Sequence, residues 1–152
     1  MLQDVETILL DKDVLANRIH ELGEEISKDY TGEEVMLVGI LKGASVFLSD
    51  LIRQINLPVY IDYMVVSSYG NSAETSGVVR IIKDLEDNIE GKNIIIVEDI
   101  IDTGLTLEYL RQNLLSRQPK SLKICTLLDK PARRVKEINI DYKGFEVPDE
   151  FI

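Results

Sequence analysis

The sequence predicts an α/β fold: a mostly parallel central sheet flanked by helices, carrying one long β-hairpin. Three observations point to it. The runs Val35–Ile40, Ile94–Val97 and Leu122–Leu128 are apolar at nearly every position, as strands covered on both faces are. The first two runs lead through a short polar loop into helical spacing. Phe47, Leu48, Leu51 and Ile52 follow one; Leu107, Leu110, Leu114 and Leu115 follow the other. Finally, Val59 to Ser67 alternates, passes through a polar tip and returns as Val78 to Ile82, which describes a hairpin.

In chain order, residues 1–10 read as an edge strand or arm, with Val5, Ile8, Leu9 and Leu10 apolar. Asp11 and Asp13 start a helix whose inner face carries Leu15, Ile19, Leu22 and Ile26. His20, the only histidine, falls off that stripe at a solvated position. Thr31-Gly32-Glu33-Glu34 breaks the helix before the first buried strand. A helix over Val46 to Ile55 follows that strand, and Asn56-Leu57-Pro58 turns the chain into the hairpin. In the first hairpin strand Tyr60, Asp62 and Met64 share one side, and Ile61, Tyr63 and Val65 the other. Asp87 to Asn93 leads into the central strand. The helix after it reaches about Arg117 and is stopped by Gln118-Pro119.

The chain of 152 residues is long enough for one domain with a real core. Its apolar fraction of 45% and charged fraction of 29% are those of a soluble globule. A net charge of −10 and a pI near 4.6 argue against nucleic acid or an anionic membrane as partner. No apolar run approaches a membrane span, and the first residues do not read as a signal peptide. The single cysteine, Cys125, sits inside an apolar strand pattern as a small core residue, and a reducing cytoplasm fits it.

Chemistry concentrates in Ile94-Ile95-Ile96-Val97-Glu98-Asp99-Ile100-Ile101-Asp102-Thr103-Gly104-Leu105-Thr106. Here a buried strand ends and a helix begins, the place where open α/β sheets bind ligands. Thr103, Gly104 and Thr106 offer amides and hydroxyls at a helix start, an anion site, and Gly104 lets the backbone come close. Glu98 and Asp99 accept from sugar hydroxyls or hold a hard cation such as Mg²⁺. Phosphate, sugar and cation together describe a ribose phosphate, with Asp102 beside the anomeric carbon. Taken singly, these acids read equally well as an exposed loop or a helix cap. Bunched together, they repel one another without a cation or donors. Leu41-Lys42-Gly43-Ala44-Ser45 is a second strand-loop-helix junction, either an anion site or a plain turn with a surface lysine.

The acidic stretch resembles the phosphoribosyl pyrophosphate (PRPP) motif of type I phosphoribosyltransferases, and Val-Glu-Asp-Ile-Ile-Asp-Thr-Gly resembles the hypoxanthine-guanine branch. The resemblance implies a Rossmann-like core with a mobile hairpin lid over residues 67–80. It implies Mg²⁺-dependent purine salvage: PRPP and hypoxanthine or guanine give IMP or GMP plus pyrophosphate. In that family the positions matching Thr103, Gly104, Leu105 and Thr106 hold the ribose phosphate. Those matching Glu98, Asp99 and Ile100 line the ribose, with Mg²⁺ associated with the two acids, and the one matching Asp102 serves as proton partner. Lys42 and Gly43 match its pyrophosphate loop, whose peptide between the positions of Leu41 and Lys42 can be cis. Ser68 and Tyr69 match its lid. Lys130, otherwise a solvated turn lysine, matches the donor to the purine's exocyclic oxygen. Phe151 matches the residue stacking on the base, and Ile152 the one offering backbone groups to its edge. A homodimer or homotetramer in the cytoplasm is also implied.

The likeness covers essentially every residue, yet the family continues with a Gly-Tyr-rich strand and hood segment bearing an aspartate and an arginine. A C-terminally incomplete chain is therefore expected, and a truncated form would be weakly active or inactive. Other readings are a phosphoribosyltransferase for xanthine or a pyrimidine, a non-catalytic PRPP-sensing regulator, and, ranked low, a phosphoacceptor receiver domain.

Overall fold

The computed structural model describes residues 7–68 and 79–150. Helix α1, Lys12–Asp29, starts where the Asp11 side chain accepts from the amides of Asp13 and Val14, both at 2.9 Å. Strand β1, Val35–Leu41, is followed by α2, Ser45–Ile52, and β2, Val59–Ser68. Strand β3, Val79–Lys83, returns antiparallel to β2. Strand β4, Asn93–Ile101, helix α3, Leu105–Leu115, and strand β5, Ser121–Asp129, follow, then a short 3-10 turn, Pro131–Arg133, and β6, Tyr142–Glu146.

The six strands lie in the order β3-β2-β1-β4-β5-β6, all parallel except β3. Both faces are covered, and the pleat divides the core. Leu37, Ile95, Val97 and Cys125 face α1 and α2, packing on Ile19, Leu22, Ile26, Leu48 and Leu51. Met36, Val38, Ile94 and Ile96 face α3, packing on Leu107, Leu110 and Leu114. Both registers being apolar explains why the sequence shows runs rather than alternation. The chain leaves β1 toward β2 and leaves β4 toward β5, so the winding reverses between the neighbours β1 and β4. The crevice beyond their carboxyl ends is the ligand site of such sheets.

Several expectations shift. Of the two forms expected for the start of the chain, residues 7–10 take the arm and not the strand, with Ile8 and Leu9 exposed. Helix α2 stops at Ile52, and Leu115 is exposed rather than inward. The central strand does not end before its acids: Glu98, Ile100 and Ile101 pair with Thr126, Leu128 and Asp129 of β5. Backbone pairing continues there because it does not depend on side-chain polarity. Strand β6 had no counterpart in the expected elements. His20 is solvated as expected, its ring beside Gln54 at 2.8 Å and Glu24 at 3.1 Å. Cys125 is fully buried, also as expected. The hairpin tip, residues 69–78, and the first six residues lie outside those described.

Candidate active site

The reversal point brings together two loops that are far apart in sequence. After β1, the peptide Leu41–Lys42 is cis, as the resemblance implied it can be. Gly43 follows, and the Asp99 carboxylate lies directly against it. A Cβ on Gly43 would stand 2.4 Å from Asp99 Oδ2, so any side chain there collides with the acid. The Asp99 carboxylate also accepts from the Ile100 amide at 2.9 Å. Lys42 and Gly43 are both exposed at the mouth of this junction.

The second loop forms the start of α3. Gly104, at φ +81°, is its N-cap, in the left-handed region that favours glycine. The Thr103 hydroxyl accepts from the Leu105 amide at 3.3 Å. The Thr103 carbonyl is held in turn by the amides of Val135 and Lys136 at 2.9 and 3.0 Å. The first turn of a helix has amides with no acceptor further back in the chain, and they point out of its end. Glu98, Ile100, Asp102, Thr103, Gly104 and Thr106 line a cavity of about 160 Å³ here. Six of the residues singled out from the sequence therefore share one small concavity with an amide-lined end.

Asp99 belongs to the other face. With Gly43 it reaches a groove of about 440 Å³ between α1 and α2. The pleat explains the split: adjacent side chains in a strand point to opposite sides. Sequence neighbours thus line different concavities, while Asp99 still acts on Glu98. Burial first, and then the Asp99 carboxylate, hold the Glu98 carboxyl well above the usual carboxylate range. Asp102 is exposed.

Lys130 is only 4% exposed, which removes the solvated-turn reading. Its amide donates to the Ile101 carbonyl at 2.9 Å, fixing the lysine beside the end of β4. Ser68 closes β2, paired with Val79. Tyr69, Phe151 and Ile152, expected in the lid and against the base, lie outside the described residues.

A divalent cation fits this donor set. The Asp99 carboxylate raises the Glu98 carboxyl although the two acids line different concavities, and a cation beside either would offset that repulsion. No cluster of three or more acidic, histidine or cysteine ligands exists among the described residues. Mg²⁺ suits such a sparse set, since it keeps waters and substrate oxygens in its shell.

Sequence reasoning missed one part of the site. Asp129, Arg134 and Lys143 form a charged group behind Lys130. The only available signal was an acid at the end of an apolar strand followed by Arg133-Arg134.

A doubly wound sheet whose reversal point holds a glycine-capped helix start, flanking acids and a lysine-glycine loop is the arrangement of nucleotide- or sugar-phosphate-handling domains. Residues 7–152 match the phosphoribosyl transferase domain family, and the chain belongs to it. It is 51% identical to the hypoxanthine phosphoribosyltransferase of Haemophilus influenzae, over 97% of this chain and 84% of that protein. It is 46% identical to the hypoxanthine-guanine phosphoribosyltransferase of Mycobacterium tuberculosis, over 98% of this chain and 77% of that one. Among solved structures, the hypoxanthine phosphoribosyltransferase of Staphylococcus aureus superposes with a TM-score of 0.95 at 47% identity, covering 99% of this chain and 82% of that one.

Proposed function

We propose that the protein is a purine-salvage enzyme that transfers the phosphoribosyl group of PRPP to hypoxanthine or guanine, giving IMP or GMP and pyrophosphate. The observation that carries the reading is the contact between Gly43 and Asp99 beside the cavity of Glu98, Asp102, Thr103 and Gly104. It joins a lysine-glycine loop to a phosphate turn, the two anion sites that one pyrophosphorylated ribose requires. The names of the relatives support the same activity.

The turn of Thr103, Gly104, Leu105 and Thr106 holds the ribose phosphate through amides and hydroxyls. Glu98 and Asp99, with Ile100 beside them, accept from the ribose hydroxyls. Lys42 and Gly43 hold the pyrophosphate. Glu98 and Asp99 are the residues that would hold Mg²⁺, which would supply charge compensation for the leaving pyrophosphate. The anomeric C–O bond breaks, a C–N bond to the purine forms, and the proton on the purine's imidazole nitrogen passes toward Asp102. Alignment of the two substrates and stabilisation of positive charge on the ribosyl ring supply most of the acceleration. Lys130 donates to the exocyclic oxygen, which disfavours adenine, whose amino group offers no acceptor there. Ser68 and Tyr69 belong to a lid that excludes water from the ribosyl centre. Phe151 stacks on the base, and Ile152 presents backbone groups to its edge. The enzyme works in the cytoplasm as a homodimer or homotetramer.

A spectrophotometric assay tests this with PRPP, Mg²⁺ and each of hypoxanthine, guanine, xanthine and adenine, on the full chain. Turnover of hypoxanthine or guanine is the expected result. Turnover of xanthine alone would move the substrate assignment. Tight PRPP binding with no turnover of any base would favour a sensing role.

A further inference from the structure

Asp129 ends β5 and is only 2% exposed. A buried carboxylate needs charged or hydrogen-bonding partners. Arg134 closes on one of its oxygens, and Lys143 Nζ lies 2.9 Å from the other. The same residue holds the chain on both sides of itself. Its carbonyl accepts from the Val147 amide at 2.8 Å, while the next amide, that of Lys130, is bound to Ile101. Arg134 does more than neutralise Asp129. Its Nε donates to the carbonyl of Asp102 at 3.1 Å. One guanidinium therefore spans from the loop of Lys130 to the turn that opens α3. The flanking backbone follows it: a Cβ on Gly104 would stand 2.8 Å from the Lys136 carbonyl.

We infer that Asp129 is a positioning residue: clasped between Arg134 and Lys143, it makes one rigid unit of the Asp102–Gly104 turn and the loop that carries Lys130. The inference rests on the roles proposed above for the turn and the lysine. Its consequence is a fixed span between the phosphate cradle and the base donor before any ligand arrives. A ligand that touches both ends gains from that preorganisation; a ligand that touches one end does not.

The two kinds of ligand are available. IMP reaches both ends, and ribose 5-phosphate reaches only the phosphate turn. Titration calorimetry of each, with thermal melting, is run on the full chain as wild type, Asp129→Asn, Arg134→Gln and Lys130→Gln. The expected result is IMP affinity lowered about tenfold in the Asp129 and Arg134 variants, with ribose 5-phosphate affinity changed less than about twofold. Unchanged IMP affinity would overturn the clasp. So would an equal loss for both ligands, which is what general loosening produces. Should Asp129→Asn fail to fold, Arg134→Gln carries the same comparison. If the wild type fails to bind IMP, or if Lys130→Gln leaves IMP binding unaltered, the proposed function fails, and the clasp with it. Retained IMP binding by an unaffected Asp129→Asn defeats the clasp alone.

Discussion

Gly43→Ala puts one methyl group into the space held by the Asp99 carboxylate, 2.4 Å away. Either the lysine-glycine loop or the acid must move. The overlap is steric, so stability should fall by about 1–3 kcal/mol even though Gly43 is exposed. Misplacing a group that lines up the substrate should lower kcat/KM by about 100-fold. Steady-state kinetics beside a melting curve separates the two; a full-activity variant would show that the contact is incidental. Asp102→Asn makes a different claim. The side chain is exposed, so folding should not register its loss. Turnover should fall about 10²- to 10⁴-fold, the usual range for a positioned proton acceptor, with PRPP affinity nearly unchanged. Equal losses in both would contradict the proton role. At this scale the turn that opens α3 was readable from sequence, because Thr-Gly-x-Thr makes its geometry largely from neighbouring residues. The Asp129 clasp was not. Its partners come from five and fourteen positions further on, and an acid at a strand end looks solvated until they are placed.

Helix α3 shows how an element is held in place and how far its sequence betrayed it. Leu107, Leu110 and Leu114 are buried on β4 and β5, so Leu110→Ala should cost about 2–5 kcal/mol in denaturant unfolding. Just past the far end of α3, Arg117 grips Asp84, at the start of the β3–β4 connection, with two hydrogen bonds of 2.9 Å. That guanidinium holds the Asp84 carboxyl below the usual carboxylate range. A depressed carboxyl pKa gives stability that is complete above the unfolded-state value and is lost as pH falls through the folded-state value. Arg117→Ala should therefore cost about 0.5–1 kcal/mol near neutral pH, a surface-pair magnitude, and progressively less in acid. Urea melts of both proteins across that range read it; a gap that stays constant in acid would remove the ionic account. Apolar runs and helical spacing predicted β1, β4, β5 and all three helices. They failed for β6, whose five residues, Tyr142–Glu146, carry Lys143 and Gly144 among two aromatics. That strand is held from outside itself: Arg18 of α1 donates to the carbonyls of Lys143 and Gly144 at 2.6 and 3.1 Å. Tertiary contact supplied what local pattern did not.

The molecule as a whole is a sheet enclosed on both faces, and Cys125 reports on that enclosure. It sits within β5, between β4 and β6, paired with Val97 on one side and Tyr142 on the other. Its face packs into the core formed with α1 and α2, and none of its surface is exposed. Burial pushes the thiol pKa well above its ordinary value, so the reactive thiolate is scarce even before access is considered. No single loop opening reaches it, since a strand or helix lies against it on each covered side. Labelling by a thiol-specific disulfide reagent should then require global unfolding. Its rate under native conditions should fall with every increment of stability. Both Leu110→Ala, distant on the opposite face, and a nucleotide bound at the crevice should move it, in opposite directions and by the full change in unfolding free energy. A labelling rate indifferent to both would mean that β5 and β6 open separately from the rest of the sheet. The clasp between Asp129 and Arg134 would then be the first contact to break, because it joins that edge to the turn beside β4.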